Sequence, residues 1–359
     1  MNRSTHIMLL GLLLGLLLGL LLVPGAGNCT AQTKSVPDLS GTYNSTTLTP
    51  VQRPKEFGEN LYLTEEEATR LAEEERALMA KANQKSDPNR AAPEAGGSAP
   101  VGAPDDQREN LGAGNVGGYN FFWIDRGEEA MRVDGKIRTS VLTDPPNGRY
   151  PARSLQGSQR WMKRARLFRP NTGEAWWVKE QGPGPYDGPE SLALSERCLL
   201  GFSMGPPMFP ALYNNYKRII QTADHVMILV EMVHDARVVR LNSEHAPADV
   251  RKWMGDSIGW FEGDTLVVDT TNFRDGDNGL GGSDQLHVVE RFRRIDAGAL
   301  SYSFTVEDPG TWTQSWSGDY VWPATDGKVY EYACHEGNYA MGGILRGARL
   351  LEQEALGGS

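Results

Sequence analysis

The chain has 359 residues, 46 acidic and 36 basic, for a formal net charge of −10 at neutral pH. So acidic a molecule repels phosphate backbones, which excludes nucleic acid as its main partner. The same net charge argues against simple electrostatic docking to anionic lipid.

The N-terminus, MNRSTHIMLLGLLLGLLLGLLLVPGAGNCTAQ, sets Arg3 before a Leu/Gly run and ends in small residues after Pro24-Gly25. That order is a secretory signal, assigned to residues 1–31 with cleavage near Ala31. The apolar run, residues 8–23, is shorter than the roughly 20 residues that span a bilayer, and no basic stop follows it. Cys29 follows Asn28, which makes a poor lipoprotein box. The expectation is an exported protein, periplasmic or secreted, with no stable membrane insertion. Losing Arg3 moves the charge from −10 to −11. Cys198 and Cys334 then remain, and in an oxidising compartment an even pair reads as one disulfide.

Residues 32–84 form an N-terminal arm. DLSGTY reads as a short strand. LTEEEATRLAEEERALMAKANQ reads as a helix, opened by a Thr64/Glu67 capping box and carrying a thin stripe of Leu71, Leu78 and Met79. Residues 85–116, rich in Pro, Ala, Gly and Asp, lack the apolar surface to offset ordering and read as a flexible linker.

Residues 117–359 follow period two. YNFFWID, KIRTSVLT, EAWWVKE, RIIQTADHVMILVEMV, ARVVRLN, GWFEGDTLVVDTTNF, LHVVERFRRID, ALSYSFTVED and KVYEYACHE are strand-like. Glu262-Gly263-Asp264 and Asp296-Ala297-Gly298 mark tight hairpins. A meander hides its edges by closing, so the predicted fold is mainly β, an antiparallel up-and-down barrel. Short helices are predicted near 158–168, 191–200 and 248–254.

In YEYACHEGNYA, Cys334, His335 and Glu336 are adjacent. Tyr339 occupies the place of a second HExxH histidine, and strand alternation puts Cys334 and Glu336 opposite His335, so no metal site is assigned. In HVMILVEMVHDARVVR, His234 ends an apolar row, with Glu231, Asp235 and Arg237 on the other face. In LHVVERFRRID, Glu290 shares a face with Leu286, Val288 and Phe292, a costly place for a carboxylate unless paired or functional. Arg237, Arg240 and Arg291 are its candidate partners. Trp312, Trp316, Tyr320 and Tyr332 are candidate lining for a small-molecule cavity. Asn214 and Asn215 end a Gly/Met/Pro loop suited to a lid. The basic run at 160–170 reads as a helix with a solvated cationic face. No GxSxG, P-loop or GxGxxG with its proper context is present.

The runs RTSVLTDPPNGRYP, SERCLLGF, GPPMFPALYNNYKRIIQTADHVMILVEMVHDARVVRL, WMGDSIGWFEGDTLVVDTTNF and YEYACHEGNYAMGGILRGAR resemble a large group of exported bacterial proteins, mostly without an assigned reaction. The resemblance covers nearly all of the chain beyond the signal except the linker. It implies export and a lipocalin-like barrel. The family's NNN run reads Asn214-Asn215-Tyr216 here.

The expected function is a cofactor-independent lyase, isomerase or hydrolase acting on a small apolar or aromatic molecule in the barrel lumen. His234 is the expected base, oriented by Asp235 or Glu290. His335 or His287 is the second proton carrier, and Arg237 or Asn214 steadies negative charge. The alternative is a non-catalytic carrier of a hydrophobic ligand.

Overall fold

The computed structural model describes residues 36–83, 123–167, 173–201, 205–276 and 280–357. The signal assigned to 1–31 and the linker at 85–116 lie outside them, as does most of YNFFWID.

Among the described residues thirteen strands form two sheets. The small sheet, in the order β2-β4-β3, joins β2 (Tyr62–Leu63), β3 (Arg132–Val133) and β4 (Lys136–Arg138). The large one begins with β1 (Gly41–Asn44), β6 (Tyr216–Gln221), β7 (His225–Val230) and β8 (Ala236–Leu241). It continues through β9 (Asp256–Glu262), β10 (Thr265–Thr271), β11 (His287–Asp296), β12 (Ala299–Glu307), β13 (Trp316–Pro323) and β5 (Leu142–Asp144). This ten-stranded sheet curls into a half-barrel. A single bridge, Tyr43 to Ala324, with Thr325 N donating to Thr42 O at 2.9 Å, ties β1 to the chain beyond β13.

Both predicted hairpins form. Glu262 pairs with Thr265 across Gly263, whose φ of +66° suits the first position of a two-residue turn. Asp296 pairs with Ala299, and Gly298 N donates to Asp296 Oδ1 at 2.7 Å. One join departs from the up-and-down pattern: β8 and β9 are parallel, Val239 opposite Ser257. Parallel neighbours need a crossover. Here residues 242–255 make it, starting at left-handed Asn242 (φ +49°) and ending at Gly255 (φ +68°).

Alternation fills the concave side. Val226, Ile228, Val239, Leu266, Val268, Val288, Phe292, Tyr302, Phe304, Trp316, Tyr320 and Trp322 are all buried there. Burying one such side chain fully stabilises by roughly 1.5–3 kcal/mol.

Thr64 and Glu67 close the capping box of α1 (Glu65–Ala82). Glu67 N donates to Thr64 Oγ1 at 3.2 Å, and Thr64 N donates to Glu67 Oε2 at 2.8 Å. α2 (Leu155–Ala165) starts three residues before the predicted 158–168 and is capped by Ser154. The segments 191–200 and 248–254 are turns, not helices. EAWWVKE is no strand: Trp176–Lys179 is a 3-10 turn, and Trp177 packs with Ala348. KVYEYACHE is no strand either. It runs irregularly into α3 (Cys334–Gly337), and α4 (Tyr339–Ala355), unforeseen in the sequence, follows. Trp177 Nε1 holds α4 by donating to Glu352 Oε1 at 2.6 Å. The predicted Cys198–Cys334 disulfide is present, closing a separation of 136 residues. In the chain-entropy account so long a loop stabilises by up to about 4–5 kcal/mol.

Candidate acid–base site

A dense group of titratable side chains lies on the outer, convex face of the half-barrel, where His287 and Asp269 point away from the core. On β10, Leu266, Val268 and Thr270 face inward, which turns Asp269 outward; on β11, Val288 and Glu290 do the same for His287. His287 Nε2 donates to Asp269 Oδ2 at 2.8 Å. The crossover lays His245 over the same face, and its Nε2 donates to Asp269 Oδ1 at 2.9 Å. A carboxylate only accepts, so both facing nitrogens carry protons.

His245 Nδ1 lies 3.3 Å from Asp256 Oδ2. Asp256 is buried and takes both ends of Arg240 at 2.9 Å, Lys252 at 3.1 Å and Ala246 N at 3.0 Å. The Arg240 bonds hold its carboxyl far below the usual range, against the opposing cost of burial. Burial raises Asp269, but the His287 and His245 hydrogen bonds outweigh it and leave the group lowered. His287 is raised, first by its bond to Asp269, with burial opposing and the charges of Asp269 and Glu307 adding.

The result is a chain of carboxylate, imidazole, carboxylate and imidazole that opens to solvent at His287. With Nε2–H fixed on Asp269, Nδ1 is the nitrogen that exchanges a proton, and Asp269 stabilises the imidazolium that forms. Glu307 Oε2 is 3.7 Å from Nδ1, close enough to attract charge and too long for a hydrogen bond. Ile258 and Val289, both half-buried, are the register partners of Asp269 and give the site an apolar margin.

The other expected residues lie elsewhere. His234 is exposed in the turn between β7 and β8, where Val233 and His234 are both left-handed (φ +61° and +47°). Its Nδ1 donates to Tyr332 O at 2.9 Å. Asp235 beside it is half-buried, and burial raises its pKa against the Ala236 N–H and the His234 charge. Of the other expected residues, Tyr332 is beside His234 through that carbonyl, whereas His335 sits exposed on α3. Asn214 is left-handed (φ +54°) at the entry to β6.

Glu290 and Arg237 are buried inside the sheet and paired with each other through both guanidinium ends. Tyr302 Oη donates to Glu290 Oε1 at 2.8 Å, Met208 N donates to Tyr302 Oη at 2.9 Å, and Tyr320 Oη donates to Met208 O at 2.5 Å. Trp312 packs edge-on to Trp316, and Tyr320 to Trp322, so the predicted cavity lining is spent on ring-to-ring contact. An open cleft of about 470 Å³ runs between Thr42, Arg218 and residues 325–329 and holds none of the acid–base residues. Among the described residues no group of three His, Cys, Asp or Glu is arranged to hold a metal ion.

Sequence reasoning missed Asp269, Asp256 and His245. The signal for Asp269 was present: a carboxylate inside the strand TLVVDTT, two residues from Val267, is as unusual as Glu290 was. His245 had none, because only the parallel crossover brings it to the strand. No protein-family model matches the chain, and no curated protein matches it either. The fold and site define a mainly β protein whose curled, mostly antiparallel sheet carries an imidazole–carboxylate chain on its outer face.

Proposed function

We propose that the protein is an exported acid–base enzyme, a lyase, isomerase or hydrolase acting on a small apolar or aromatic molecule, with His287 as its proton carrier. The observation that carries this reading is Asp269 shared between two imidazoles at 2.8 and 2.9 Å. In the proposed cycle His287 Nδ1 takes a proton from the substrate or from water, Asp269 stabilises the imidazolium, and the proton is returned to the product. Ile258 and Val289 offer apolar contact beside these groups. The close ring packing of the interior favours this outer site over a lumenal one. Export and a lipocalin-like relationship belong to the same proposal and rest on the sequence resemblance; the disulfide is compatible with export.

The test is substrate discovery with the wild type and two variants, His287→Gln and Asp269→Asn. Each is incubated with a complex small-molecule extract and the consumed species are followed by mass spectrometry. Loss of a general acid–base group slows turnover by about 10²–10⁴-fold. Equal consumption by the wild type and both folded variants removes this site.

A second reading keeps His234 as the base. It is favoured by one observation: a carbonyl only accepts, so the Tyr332 contact fixes the proton on Nδ1 and leaves the exposed Nε2 with its lone pair. His234→Gln in the same assay separates the two readings, since only the true base is indispensable.

A further inference from the structure

A second feature lies on α2. Its inner face is fixed to the loop after β12. Ser154 Oγ donates to Gly310 O at 3.1 Å, and Arg160 Nη1 reaches Thr311 Oγ1 at 3.1 Å. A Cβ on Gly157 would stand 2.3 Å from Thr311 O, so helix and loop meet there without any side chain between them. Arg160 also pairs with Asp275 at 3.3 Å, and Arg164 donates to Gly276 O at 3.3 Å.

The opposite face is bare. Leu155 and Met162, seven residues apart, share one side of the helix, and Trp161, four residues after Gly157, projects from nearer the anchored side; they are 77%, 51% and 52% exposed. Lys163 and Arg166 border this strip, and the Arg153 guanidinium lies 5.2 Å from the Trp161 ring centre. None of these three cations has an acidic partner among the described residues. Residues 153–166 hold five cations and no acid, within a chain of net charge −10.

We propose that α2 is a docking face for an anionic lipid surface. Charge complementarity selects the occupant. Unpaired cations ringing exposed Leu, Met and Trp match a layer of phosphate headgroups above acyl chains, with the indole at the boundary. Screening limits attraction to about 8 Å at physiological salt, so the local cluster governs contact and the net negative charge of the distant surface does not. The helix binds peripherally, and three apolar side chains give reversible attachment.

The test is co-sedimentation of the full mature protein with vesicles of phosphatidylcholine alone or with one-third phosphatidylglycerol. Binding is expected only to the anionic vesicles and should weaken as salt rises. Lys163→Glu/Arg166→Glu should weaken it by at least an order of magnitude, at about fivefold per cation removed. Leu155→Gln/Met162→Gln should weaken it without altering the salt dependence. Absence of binding, equal binding to both vesicle types, or indifference to either double variant overturns the proposal. So does capture by immobilised polyglutamate that ignores Leu155 and Met162, which would assign the face to an acidic polypeptide.

Discussion

Asp269 and His287 face each other across the β10–β11 pair, Oδ2 to Nε2 at 2.8 Å, on the side of the sheet turned away from the core. The contact raises the folded-state pKa of His287, and that makes stability depend on pH. A raised group contributes stability that is fully present below its unfolded value, 6.5, and is lost as pH rises through the higher folded value. Denaturant midpoints of wild type minus His287→Gln should therefore shrink as pH climbs above 6.5. A difference that grows over that range contradicts the contact.

Lys217 gives the opposite slope. Its ammonium is buried, donates to Ser45 Oγ at 2.7 Å and lies 5.7 Å from the Trp322 ring centre. Burial drives its pKa from 10.5 to about 7, with the Glu231 charge opposing. Between those values the unfolded chain binds more protons, so this group makes stability rise with pH. The difference between wild type and Lys217→Met should move in favour of the wild type from pH 7 to 10.5, and a pH-independent difference refutes the shift.

Arg237 and Glu290 form a doubly bonded ion pair in the apolar interior. Removing one partner strands a buried charge, so Arg237→Met or Glu290→Leu alone should cost about 3–5 kcal/mol. The double variant should cost much less than the two singles combined, because neither charge remains. Additive losses in chemical denaturation would show that the two groups do not act as a pair.

Gly157→Ala tests how α2 is attached. The added methyl collides with the Thr311 backbone, which no side-chain rotation relieves. We predict a loss of about 1–3 kcal/mol in thermal melts. An unchanged melt would place the helix further from that loop.

The hairpins at Gly263 and Gly298, the capping box at Thr64 and the disulfide were legible because each depends on a few neighbouring residues or on compartment chemistry. The β8–β9 crossover was not, since parallel pairing joins residues far apart in sequence and leaves no turn signature. His245 was lost with it, and of the four residues in the acid–base chain only His287 was named from the sequence. YEYACHE alternates like a strand, yet alternation records only which faces differ, not whether a neighbour exists to accept hydrogen bonds. Beside β13 that place is taken by β5. Trp176 and Trp177 show a related failure: aromatic strand preference yields to packing on α4. Glu290 was recognised as paired or functional from its apolar face, and the structure supplies Arg237 as the partner.

The most direct measurement is a pH titration of the histidine side chains by ¹⁵N–¹H NMR, on the wild type and on Asp269→Asn. The account predicts that His287 carries its proton on Nε2 when neutral. It also predicts a titration above the ordinary imidazole value, falling when Asp269 loses its charge. A proton on Nδ1, or a titration indifferent to Asp269→Asn, would contradict it.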